Sequence, residues 1–337
     1  MPPLSVLDLS LIVEGGSIAD ALRHTLDLAR HAEALGYRRY WVAEHHNLDG
    51  VASSATAVLV GQIAAVTQRI RVGSGGVMLP NHAPLVIAEQ FGTLATLYPD
   101  RIDLGLGRAP GTDRVTMRAL RRHLDSAGEA ESFPRDVMEL QAYLDDPVPG
   151  QAVRAIPGLG TQVPIWLLGS SLYSAQLAAQ LGLPFAFASH FAPDLLLHAL
   201  EAYRSTYRPS PRWPRPHAMV GVNVIAADSD AEARRLATSL QLRFLGMQRG
   251  RRTALPRPIE PAQLERLWTP HEAENVAGML AATAVGAPET VRSQLAALVD
   301  ATQADELIVA AAIHDHAARR HSYELLAALA GAGTATS

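Results

Sequence analysis

RRYWVAEHHN, residues 38–47, is the stretch from which the rest of the chain can be placed. Tyr40, Trp41, Val42 and Ala43 are aromatic, branched or small, as a buried strand requires. The apolar run stops at Glu44, His45 and His46, and an Asp49-Gly50 turn signal follows. Ionisable side chains at the end of an apolar strand are where α/β enzymes place chemistry. Side chains alternate along a strand, so Trp41, Ala43 and His45 share one face and Val42, Glu44 and His46 the other. His45 is therefore the candidate to face a pocket. For this segment alone, two hydrogen-bonded loop histidines are the commoner case; the ends of the other strands reverse that preference.

The composition narrows the chemistry. The 337 residues suffice for one large α/β barrel or two ordinary domains, and 48% hydrophobic with 18% charged residues is a globular balance. A net charge of -4 gives no sign of a nucleic-acid or membrane surface. There is no cysteine, which excludes disulfides, thiolate nucleophiles and thiolate metal sites. There is no lysine either: all 29 basic residues are arginine. Schiff-base chemistry and the lysine of a P-loop are excluded with it, and any phosphate must be held by Arg, hydroxyls and backbone N–H groups. With no signal peptide and no apolar run near 18 residues, a cytoplasmic protein is expected.

Strands are expected at 5–13, 38–43, 70–79, 102–107, 164–168, 185–188, 217–226 and 306–313. Helical spacing fills most of the intervals, as in 17–36, 54–68, 85–97, 169–181, 229–245 and 288–300. Strand and helix alternating over short links means right-handed βαβ units and a parallel sheet. Eight such strands are what a (β/α)8 barrel needs; a doubly wound open sheet has the same periodicity. Residues 145–160, rich in Pro and Gly, read as a surface excursion, and 246–275 as irregular. One domain over 1–337 is expected, with 246–285 an insertion within it.

Polar residues gather after the strands: Glu44, His45 and His46; Arg108; Gly169, Ser170 and Ser171; Ser189 and His190; His314, Asp315 and His316. Gly73, Gly75 and Gly76 interrupt the third strand, either as a β-bulge or to admit a flat ligand. GSSLYS at 169–174 opens a helix, so it is an ordinary N-cap or an anion site of N–H groups and hydroxyls. Arg108 can add a bidentate contact to the same phosphate. A flat, phosphorylated cofactor suits this set, and flavin mononucleotide fits. No GxGxxG follows the first strand, which disfavours a dinucleotide fold.

WVAEHHN, RVGSGGVMLPNHAP, RIDLGLGRAPG, IWLLGSS, LGLPFAFASHF and VGAPETVRSQL together resemble the bacterial luciferase-like flavin-dependent monooxygenases, in particular the single-component branch of unknown substrate. The resemblance spans nearly the whole chain. It implies a (β/α)8 barrel that takes FMNH2 from a separate NAD(P)H:flavin reductase, forms a C4a-peroxyflavin with O2 and oxidises a small organic substrate, an aldehyde in the luciferases. By position it implies that His45 is the catalytic acid/base and that Gly75 and Gly76 lie under the flavin ring. It gives Arg108, Gly169, Ser170, Ser171, Tyr173 and Ser174 to the phosphate, 246–275 to a mobile lid, and helices 54–68 and 85–97 to a homodimer. Gly107 and Gly169 depart from the Cys and Glu of the light emitters, which puts light emission in doubt.

Two rivals share the barrel: an F420-dependent hydride transferase, with Arg114, Arg118, Arg121 and Arg122 for the polyglutamyl tail, and a non-catalytic flavin-binding relative. A metal hydrolase is a poorer fit, since adjacent His45 and His46 point opposite ways. No metal is expected.

Overall fold

A computed structural model describes residues 1–109, 111–120 and 129–332. The elements run β1 (Leu4–Asp8), α1 (Ile18–Ala34), β2 (Arg39–Val42), α2 (Thr56–Val66), β3 (Arg71–Met78), α3 (Pro84–Leu97), β4 (Ile102–Gly107), α4 (Arg114–Leu120) and α5 (Glu129–Leu144). They continue β5 (Ile165–Gly169), α6 (Leu172–Leu181), β6 (Phe185–Phe187), α7 (Leu196–Ser205), β7 (Ala218–Ala226), α8 (Asp230–Gln248), α9 (Pro261–Leu264), α10 (Pro270–Met279), β8 (Thr283–Gly286), α11 (Pro288–Thr302), β9 (Glu306–Ala310) and α12 (His316–Ala332). All strand pairings are parallel, from β1–β2 round to β6–β7, β7–β9 and β9–β1. The sheet is thus a closed eight-stranded barrel with helices around it, the first of the two architectures that the periodicity allowed.

Strand alternation divides the apolar residues into two layers. Leu7, Trp41, Trp166, Ala186, Met219 and Ile308 fill the barrel interior, with the Trp41 and Trp166 rings edge to face at 5.2 Å. The larger layer lies between sheet and helices. At the amino-terminal end of the barrel Arg39, almost fully buried, bridges Asp103 at 2.6 Å and Glu306 at 2.9 Å. A charge there is tolerable only because both carboxylates meet it.

The sequence expectations need four corrections. The first strand ends at Asp8 rather than at residue 13: the Asp8 carboxylate accepts the Ser10 N–H at 2.9 Å, and Ser10 turns the chain off the sheet at φ +49°. Residues 246–275 are irregular only in part: 249–260 hold no helix or strand, but both flanks are helical. Helix α8 runs on to Gln248, and α9 and α10 start with proline in the first turn behind capping boxes at Glu260 and Thr269. The prolines there open helices rather than break them. Strand β8 was not foreseen; its four residues pair only with the end of β7. The 145–160 excursion is also partly built in, because Gly158 packs on Gly92 of α3 so closely that a Cβ on Gly92 would lie 2.1 Å from the Gly158 Cα. Among the described residues, no helix is long and apolar enough to cross a membrane.

Candidate active site

The carboxyl ends of the strands open on a cavity of about 580 Å³. His45, just past β2, lines it, whereas Glu44 and His46 do not. Those two turn to the opposite side, where the buried Glu44 Oε1 sits 2.9 Å from His46 Nε2 and 2.8 Å from His82 Nε2. Burial works against the Glu44 carboxylate, but the two imidazoles outweigh it and hold its carboxyl below the usual range. The three candidate ligand atoms lie within 4.8 Å of one another. They are already engaged with each other, and the trio anchors the end of β2 to the loop after β3.

The floor of the cavity is β3. Its register with β4 shifts between Ser74 and Val77, so Gly75 and Gly76 form a bulge and also line the cavity. The bulge reading of the glycine run therefore holds, at a place where the glycines face the cavity. The Gly75–Gly76 peptide is cis. A Cβ on Gly76 would lie 2.7 Å from the Gly105 carbonyl oxygen, where the backbone leaves no room for it, and one on Gly75 would lie 2.7 Å from Leu7 Cδ1, which would have to move aside.

The adjoining wall is built from β4 and β5. Arg108, Gly169, Ser170, Ser171 and Ser174 all line the cavity. Ser171 is the N-cap of α6, its hydroxyl accepting the Ser174 N–H. Gly169 is forced by this turn, since a Cβ would come 2.3 Å from Ser174 Oγ. Tyr173 is not on the cavity surface. It lies behind, with the Arg108 guanidinium carbon 4.2 Å from its ring centre. No carboxylate pairs with Arg108 among the described residues. Hydroxyls, the start of a ten-residue helix and an unpaired guanidinium make an anion-binding wall.

Two further groups complete the site. His190, after β6, lines the cavity, and its backbone carbonyl accepts from the Asn223 amide at 2.6 Å. Arg243 reaches in from α8. The Nδ1 atoms of His45 and His190 are both buried without a hydrogen-bond partner. Burial, then the Arg243 charge, pushes the His45 pKa down to about 4. Burial, then His45, does the same to His190, also to about 4. Both imidazoles are neutral at pH 7. Neutral imidazoles beside a flat floor and an anion-binding wall can hold or pass a proton over a planar, phosphorylated ligand.

A family profile described as luciferase-like monooxygenase matches residues 6–305. The chain belongs to this family. A luciferase-like monooxygenase of Escherichia coli (strain K12) is 57% identical over 321 residues, covering 95% of both chains. The crystal structure of apo-MsnO8 superposes with a TM-score of 0.90 at 40% identity, covering 98% of this chain and 99% of that one. The same fold, at 18% and 14% identity, is found in the oxygenating constituent of 3,6-diketocamphane monooxygenase in complex with FMN (TM-score 0.72) and in an F420-dependent secondary alcohol dehydrogenase in complex with an F420-acetone adduct (TM-score 0.71).

Within this luciferase-like chain, sequence reasoning noted His190 without assigning it to the site and passed over Arg243 altogether. The signal for Arg243 was a lone charge in LQLRFLG, flanked by Leu240, Leu242 and Phe244. Of the arginines at 249–252, Arg249 is held by Glu272 at 2.7 Å and by the Leu267 carbonyl, whereas Arg251 and Arg252 line the cavity. His314 and His316 are engaged elsewhere, with the Glu14 carbonyl and the Asp27 carboxylate. Arg121 and Arg122 lie outside the described residues.

Proposed function

We propose that this chain is a flavin-dependent monooxygenase, using FMNH2 and O2 to oxidise a small organic substrate. The observation that carries this reading is one cavity that places Arg108, Ser170, Ser171 and Ser174 beside the flat strip of Gly75 and Gly76, with His45 on the same cavity wall. These residues fit FMN. The unpaired Arg108 and the start of α6 would hold its phosphate, and the strip without side chains would lie under its ring. When bound, the flavin would supply the chemistry of reaction with oxygen. The protein's share is to hold the cofactor, keep water out with apolar walls and move a proton at His45.

FMNH2 would come from a partner NAD(P)H:flavin reductase. Segment 246–285 acts as the lid: Arg251, Arg252, Thr253 and Met279 line the cavity, and hydrogen bonds of Leu255 with Ile12 and Glu14 and of Arg257 with Glu14 tie the segment to the loop after β1. A homodimer would form through α2 and α3, which expose Val58, Val86 and Leu97. The second reading, hydride transfer with F420, is favoured by the fold likeness to an F420-dependent dehydrogenase. Anaerobic titration with FMNH2 and with reduced F420 separates the two. Tight FMNH2 binding with oxygen-dependent product supports the first, and binding of F420 alone the second.

A further inference from the structure

The cavity is lined by five arginines and, among its described residues, by no aspartate or glutamate, in a chain of net charge -4. Four of these arginines have an explanation. Arg319 is neutralised by Asp8, at 2.8 Å. Arg108 belongs to the wall of β4 and β5, beside Ser170 and Ser171. Arg251 and Arg252 are exposed. Arg243 is different. Its Nη1 is shut off from solvent and has no hydrogen-bond partner, and the lining that α8 supplies around it is Leu240, Phe244 and Met247. Burial alone pushes its pKa down to about 10, still charged at neutral pH, and no carboxylate opposes that shift.

A guanidinium in apolar surroundings without a counter-ion is costly to keep. Such a cost is tolerated where a ligand supplies the missing charge. His45, on which the Arg243 charge acts, and His190, which His45 acts on in turn, are neutral imidazoles whose own Nδ1 atoms lack partners. That end of the cavity therefore offers the Arg243 charge, with the exposed Arg252 near enough to act on His45 as well, two uncharged polar rings and an apolar wall. It complements a negatively charged head group on an apolar chain, and it repels a cation.

We propose that Arg243 anchors an anionic group of the substrate, so that the substrate is a small organic acid, a carboxylate or a sulfonate, with its oxidised carbon or heteroatom held between this anchor and the Gly75–Gly76 floor. The proposal rests on the monooxygenase reading of the cavity and narrows its substrate class. Arg243 is on this account a substrate-binding residue, distinct from the cofactor-binding Arg108.

Calorimetric titration with hexanoate, hexanesulfonate and hexanamide tests it. One series uses protein saturated with FMN; a second uses FMN-free protein in phosphate buffer, which occupies the Arg108 wall. In both, at least one acid should bind the wild-type protein about tenfold more tightly than the amide, as a charge-assisted contact implies. Which acid prefers the site tells carboxylate from sulfonate. Arg243→Met should bring the ratio close to one while leaving FMN affinity unchanged, and Arg243→Lys should retain a preference for the acid. A wild-type ratio near one, a ratio that survives Arg243→Met, or a loss of FMN affinity in that variant would each overturn the assignment. Failure of FMN to bind the wild type would contradict the cofactor reading alone, and the phosphate series would still decide on Arg243.

Discussion

The guanidinium of Arg108 stacks over Tyr173, 4.2 Å from the ring centre, at the point where β4 and β5 deliver their ends to the cavity. Stacking fixes the plane of the fork without using its N–H groups, which stay available for a phosphate. Arg108→Ala should weaken FMNH2 binding by about 1.5–3 kcal/mol, or roughly 10- to 150-fold. Arg108→Lys should recover only part of this, because an ammonium has no fork to stack. Equilibrium titration of both variants checks the order.

His45 meets the cavity with an unpartnered Nδ1 and comes from the end of β2, whereas the phosphate-binding wall comes from the ends of β4 and β5. His45→Ala should leave the cofactor dissociation constant within about twofold. Coupled product formation should fall by about 10²- to 10⁴-fold, the usual share of a positioned acid/base. Oxygen consumption should then appear as hydrogen peroxide. Comparing product with peroxide per oxygen consumed decides it, and equal coupling in variant and wild type would remove His45 from this role.

The two buried imidazoles make stability sensitive to acid. Their folded pKa values are near 4, below the unfolded value of about 6.5. Each therefore contributes stability that is complete above pH 6.5 and is lost as the pH falls towards 4, because the unfolded chain binds protons first. Tm should fall through that window, and His190→Gln should flatten the fall. Since Arg243 is the second cause of the His45 depression, Arg243→Met should raise the His45 pKa towards its ordinary value, read by NMR titration.

At the other end of the barrel, Arg39 holds two buried carboxylates together. Arg39→Met leaves Asp103 with Arg71 and the Trp41 N–H, and Glu306 with the exposed Arg38, His217 and the Ser5 hydroxyl. A loss of about 3–5 kcal/mol is expected, measured by urea unfolding. Little change would mean that the neighbouring cations suffice.

Glycine substitutions separate crowded floor from open helix. Gly76→Ala must fit a methyl 2.7 Å from the Gly105 carbonyl oxygen, so about 1–3 kcal/mol should be lost, together with cofactor affinity. Gly278, near the end of α10, has nothing within 4 Å of an added Cβ. Gly278→Ala should gain about 0.5–1 kcal/mol. Unfolding midpoints of the pair test the contrast.

The eight barrel strands were legible because each is a short apolar run bounded by Gly, Pro or charged residues. The face of His45 followed from alternation along β2. What escaped was of two kinds. Strand β8 is four residues long and pairs with one neighbour only, too little for a period to register. Helices α9 and α10 were hidden by Pro261 and Pro270, which mark a loop or a first helical turn equally well. Arg243 was missed, and His190 left unassigned, for a deeper reason. What marks them is the lack of a partner, and that is a property of the packed surroundings rather than of the local sequence.

The central claim is that Arg108, the start of α6 and the Gly75–Gly76 strip hold a reduced flavin for reaction with oxygen. It is tested most directly by titrating the protein anaerobically with FMNH2 and with reduced F420, then admitting oxygen while recording the absorbance spectrum. Stoichiometric FMNH2 binding, weak F420 binding and an oxygen-dependent spectral transient distinct from both free reduced and oxidised FMN are the results predicted. Binding of F420 alone, or FMNH2 that reoxidises as fast as it does free in solution, would contradict it.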